Sequence, residues 1–70
     1  MPPKIRELKK QLRDAGFLER QAKGSHTVWY FPNTPIRVTV AGNDGKDAKK
    51  YLEDDIRRKI ALVLVLRSQS

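Results

Sequence analysis

The hydrophobic period of this chain changes twice, and that limits its possible folds more than any other feature. Ile5, Leu8, Leu12 and Ala15 recur at helical spacing, which sets them on one stripe of an α-helix. Ile36, Val38 and Val40 then alternate with Arg37 and Thr39, the pattern of a strand with one face buried. Ala48, Leu52, Ile56 and Ile60 return to helical spacing. Helical patterns at both ends and strand patterns between them, in 70 residues, fit a single domain with a thin core.

The boundaries follow from local chemistry. A first helix is predicted over 4–15, with Pro3 just before it and Gly16 as its C-terminal cap. Phe17 to Gln21 reads as a short strand, and Phe17 closes over the helix. Ala22 to Ser25 is a polar turn, and His26 to Phe31 is a second strand rich in β-branched and aromatic residues. Pro32-Asn33-Thr34-Pro35 forces a turn before the third strand, Ile36 to Val40. Residues 41–45 are loop, and Asp47 is the expected N-cap of the second helix. Layer logic packs both helices on one face of an antiparallel meander. The expected fold is α+β, a two-layer α-β-β-β-α sandwich, in the order shared with double-stranded-RNA-binding domains.

Strand alternation leaves one choice open. His26 shares parity with Val28 and Tyr30, while Trp29 and Phe31 point the other way. The usual burial of tryptophan favours Trp29 in the core. An outward Trp29 would instead be free to stack on a base or a partner's side chain.

Ile60 to Leu66 breaks the amphipathic rule, being apolar all round. It is too short to span a bilayer, which needs roughly 20 residues. A buried helix end, an edge strand or a surface for another chain would each account for it. The expected division is therefore a domain over 4–60 and an apolar, then polar, tail over 61–70.

Fifteen Lys and Arg stand against eight Asp and Glu, a net charge of +7. Such an excess favours polyanions, of which nucleic acid is the commonest in the cytosol. On the first helix Arg6, Lys10 and Arg13 share a face, with Lys9 beside them. Either this face is simply solvated or it meets phosphates. Lys46, Lys49 and Lys50 gather at the start of the second helix, where a bound phosphate would offset their clash with the helix dipole. Further along, Glu53, Asp54 and Asp55 precede Arg57, Arg58 and Lys59 at i, i+4 spacing, which reads as structural ion pairing.

No cysteine is present, so disulfides and thiolate metal sites are excluded. With one histidine, neither a metal nor another cofactor is expected. No apolar leader follows Met1, so the expected location is the cytoplasm.

That single histidine stands in Lys23-Gly24-Ser25-His26-Thr27. Histidine is the side chain whose reference pKa, about 6.5, allows proton exchange near neutrality. Lys23 adds a cation, Gly24 lets the backbone turn or approach a ligand, and Ser25 adds a hydroxyl. The set suits a phosphodiester. The plainer reading is a hairpin loop with an exposed histidine.

Over roughly 4–60 the chain resembles the HicA toxins of bacterial and archaeal toxin–antitoxin pairs. The matching residues are Ile5-Arg6-Glu7-Leu8 continuing to Leu12, Ala15-Gly16-Phe17, Lys23-Gly24-Ser25-His26, and Arg37-Val38-Thr39-Val40 closing at Gly42. Lys50-Tyr51-Leu52 departs from the Gly-Thr-Leu element that often opens the family's second helix, and the apolar tail is a further departure. The resemblance implies a metal-independent ribonuclease acting on messenger RNA and silenced by a HicB antitoxin. It carries the family's active histidine onto His26.

On that reading His26 takes a proton from a ribose 2′-OH, while Lys23, the amides around Gly24, and Ser25 stabilise the phosphate oxygens. Lys23, water or His26 itself would supply the second proton transfer. The contrasting expectation is a non-catalytic module that holds double-stranded RNA, with the His26 loop in a minor groove and Lys46, Lys49 and Lys50 on phosphates. A third is a protein-interaction domain using Ile60 to Leu66. Oligomeric state is left open.

Overall fold

The architecture is known from a computed structural model, which describes residues 2–69. The elements are α1 (Ile5–Asp14), β1 (Leu18–Gln21), β2 (Thr27–Tyr30), β3 (Arg37–Val40) and α2 (Lys50–Ser68). The expected α-β-β-β-α order holds, with three antiparallel strands in the order β1-β2-β3.

Helix α1 buries Ile5, Leu8 and Leu12, as its stripe requires. At its start the Glu7 carboxylate accepts the Lys4 N–H at 2.9 Å. The Ile5 and Arg6 N–H groups donate to the Lys46 and Asp44 carbonyls at 2.8 and 3.1 Å. The loop after β3 thereby satisfies amides that every helix N-terminus leaves open. After Asp14 the chain turns through Gly16, whose φ of +102° lies where a side chain is strained. A Cβ there would also come within 3.0 Å of the Phe31 ring.

Register fixes the two faces of the sheet. Glu19, Trp29 and Val38 form one row, and Gln21, Thr27 and Val40 the next, on the side of the helices. Leu18, Tyr30 and Arg37, and then Arg20, Val28 and Thr39, form the rows of the opposite face. Trp29 is fully buried, which closes the choice left open by alternation. Its indole N–H finds the Thr27 hydroxyl at 3.1 Å, so a polar atom is taken into the core without being orphaned.

Asp47 does not cap α2; Lys49 occupies that position, and no side chain caps the helix. The reason is tertiary. Asp47 pairs with Lys4 across an isolated antiparallel bridge, and the Ala48 N–H donates to the Pro3 carbonyl at 2.8 Å. Those contacts hold 47–48 extended along the start of the chain, so the helix begins after them. Ala48 is buried nonetheless, together with Leu52 and Ile56, and Ile60 is half-buried.

Helix α2 runs through the apolar stretch to Ser68. Val63 joins the core, whereas Leu62, Leu64, Val65 and Leu66 stay exposed. The expected ion pairs form at Glu53–Arg57, 2.7 Å, and Asp55–Lys59, 3.5 Å. Arg58 leans toward Asp55 instead of Asp54, at 3.8 Å. Among the described residues no helix is long and apolar enough to cross a membrane.

Candidate functional site

The hairpin turn between β1 and β2 is closed by its own backbone. The His26 N–H donates to the Lys23 carbonyl at 3.1 Å, and the Ala22 N–H donates to the His26 carbonyl at 3.1 Å. Gly24 takes φ of +64°, the left-handed conformation that this tight turn needs and that glycine adopts without a steric cost. Gln21, at the end of β1, donates its side-chain amide to the Gly24 carbonyl at 3.1 Å.

Within that frame the His26 ring has one defined contact. Its Nδ1 lies 3.2 Å from the Lys23 carbonyl oxygen. A carbonyl only accepts, so in the neutral ring the proton sits on Nδ1 and Nε2 keeps its lone pair. His26, Lys23, Gly24 and Ser25 are all exposed. In its neutral form the ring offers the Nε2 lone pair at an open crest, with an ammonium and a hydroxyl in the same loop.

Two grooves meet beside this crest, and Ser25 lines both. One, of about 330 Å³, runs to the start of α2 and includes Lys46, Lys49, Tyr51 and Gly42. The other, also about 330 Å³, includes Lys9, Asp44, Gln21 and Thr27. Residues separated by some twenty positions in the chain are brought together because the 41–49 loop folds back onto α1. Lys9 helps to hold it there: its side chain is 14 % exposed and its Nζ lies 2.7 Å from Asp44. The hydrogen bond from Lys9, and then its charge, hold the Asp44 carboxyl below its ordinary pKa, with Arg6 and Arg13 adding to the effect.

The basic residues marked in the sequence thus separate into groups. Lys46 and Lys49 share a groove with Ser25. Arg6, Lys10 and Arg13 line neither groove. Lys10 is turned toward Asp14 at 3.0 Å, and the Arg13 guanidinium lies over the Trp29 ring, 5.4 Å from its centroid. Lys50 faces Asp54 at 3.9 Å.

Gln21, Lys9, Asp44 and Tyr51 belong to the same neighbourhood but carry no motif. The closed hairpin reveals Gln21, and the fold of the 41–49 loop reveals the other three. Among the described residues no cluster of three or more His, Cys, Asp or Glu side chains is arranged to hold a metal ion.

Comparison with known proteins identifies the family. No curated protein and no solved structure matches the chain. Residues 5–62 match the family described as the HicA toxin of bacterial toxin–antitoxin systems, a span that takes in α1, the sheet, the His26 turn and most of α2. The chain belongs to the HicA toxin family, as a toxin of a toxin–antitoxin system.

Proposed function

We propose that this toxin is an endoribonuclease that cleaves messenger RNA through His26, without a metal ion, and that a HicB-like antitoxin silences it. The observation that carries this reading is the Nδ1 contact with the Lys23 carbonyl, which leaves Nε2 free as a base on the exposed turn. Nε2 accepts the proton of a ribose 2′-OH. The 2′-oxygen attacks the adjacent phosphorus, and the bond to the 5′-oxygen breaks. The leaving oxygen takes a proton from the imidazolium, from Lys23 or from water. The products are a 2′,3′-cyclic phosphate and a 5′-hydroxyl.

Lys23, the amides about Gly24, and Ser25 stabilise the charge that builds on the non-bridging oxygens. Lys46 and Lys49, which share the groove with Ser25, bind the flanking phosphates. The uncapped start of α2 faces the same need, because its free amides favour an anion. Arg6, Lys10, Arg13 and Lys50 add a diffuse field that draws RNA toward the surface. With one histidine and no separate acid–base pair, turnover is expected to be modest.

The test is incubation of purified protein with a long unstructured RNA, with and without EDTA, beside His26→Ala. Cutting that survives EDTA and disappears in the variant is the expected result. Undiminished cutting by a clean His26→Ala preparation sinks the scheme. Intact RNA with tight, salt-sensitive binding transfers the protein to the non-catalytic class.

A further inference from the structure

The helices cover one face of the sheet and leave the other open. On the open face Tyr30 stands on the central strand, directly opposite Arg37 on β3 and diagonal to Arg20 on β1. Diagonal neighbours of this kind lie within reach of long and aromatic side chains. A groove of about 470 Å³ runs over these residues and against the Phe31–Thr34 turn, and no carboxylate lines it. Among the described residues neither Arg20 nor Arg37 forms an ion pair through its guanidinium. Outside the strand pairing, the Arg37 carbonyl accepts from Lys59 Nζ at 3.3 Å, which leaves the guanidinium uninvolved.

The same face continues to the histidine. The Ala22–His26 hydrogen bond extends the β1–β2 pairing by one step, so alternation gives His26 the side shared by Val28 and Tyr30. Tyr30 lies four strand steps from His26, a distance of about 13 Å.

We infer that the open face of the sheet is a single-stranded RNA track leading to the His26 turn, with Tyr30 stacking a base and Arg20 and Arg37 holding phosphates. This inference rests on the proposed ribonuclease activity and extends its binding site to the side of the sheet away from the helices. An aromatic ring on a central strand offers a platform to any base. Two unpaired guanidiniums beside it supply the charge that a sugar-phosphate backbone requires. A protein partner fits less well. Leu18, Val28, Tyr30, Phe31 and Pro32 are the groove's apolar lining, few groups for the buried centre of a standard interface of about 800 Å² per partner.

The experiment uses the full chain carrying His26→Ala, so that bound RNA survives, and a labelled single-stranded oligonucleotide long enough to reach from the turn to Tyr30. Added Tyr30→Ala is expected to weaken binding about 5- to 150-fold, and Tyr30→Phe to restore it. Arg20→Gln with Arg37→Gln is expected to flatten the slope of log affinity against log salt by about 1.4, since each phosphate contact to a single strand contributes about 0.7. Circular dichroism melts confirm that each variant is folded, and the arginine pair provides the test if Tyr30→Ala unfolds. Parent-like affinity and salt slope in all folded variants overturn the inference. So does loss of an acidic protein partner while RNA binding stays intact. Cleavage by the histidine-bearing chain that vanishes with His26→Ala upholds the proposed function in either case. A parent chain that neither binds nor cuts RNA overturns both.

Discussion

At the scale of single residues, the turn at His26 depends on two small features. The Nδ1 contact with the Lys23 carbonyl predicts that the neutral ring carries its proton on Nδ1. Nitrogen-15 chemical shifts of the imidazole check this, and a ring carrying its proton on Nε2 contradicts the assigned base. Gly24, at φ +64° with open space around its missing side chain, predicts a purely conformational penalty. Gly24→Ala should cost about 1–2 kcal/mol in urea unfolding and slow cleavage by shifting the turn, with no clash involved. Thr27 is the third case. Buried beneath the sheet, it accepts the Trp29 indole N–H. Thr27→Val conserves shape but orphans that donor, and should lower stability by about 1–3 kcal/mol. The histidine, the glycine and the Ser25 hydroxyl were legible as a motif, whereas the role of the Thr27 hydroxyl was not. The pairing that orients the ring was not, because an i, i+3 contact of this kind depends on the closed hairpin.

At the scale of elements, the helices were read more easily than the loop that joins them to the sheet. Ile5, Leu8 and Leu12 on α1 and Leu52 and Ile56 on α2 are buried as their spacing requires. Ile56→Ala should cost about 2–5 kcal/mol. Leu62→Ala on the same helix should stay within about 0.5 kcal/mol, since Leu62 remains exposed. Comparable losses from the two changes in thermal melts would mean that the end of α2 is buried after all. The 41–49 loop misled the reading of Asp47, because a good N-cap residue was claimed by Lys4. Asp44 in the same loop predicts a pH effect. Its carboxyl is held below the ordinary range by Lys9, so its contribution is complete above about pH 4 and fades as pH falls through the lowered value. Asp44→Asn should flatten the acid limb of stability against pH, and an unchanged limb would show that other carboxylates dominate it.

At the scale of the whole molecule, charge and topology act together. A net charge of +7 predicts RNA binding that weakens steeply with salt, by about 0.7 log units per log unit for each phosphate held on a single strand. A flat profile in filter binding would remove polyanion recognition from the picture. The sequence by itself determined the order of elements, the two helical stripes, the alternation of β3 and the histidine turn. Each of these is written in neighbours a few residues apart, where periodicity and turn chemistry act directly. Tertiary structure alone decided which face Trp29 takes, where α2 begins and how far it runs. It also decided that Ser25 shares a groove with Lys46 and Lys49. Those outcomes depend on contacts between distant segments, above all the 41–49 loop satisfying the open amides of α1. Such contacts form only when the chain closes on itself and every buried polar group must find a partner.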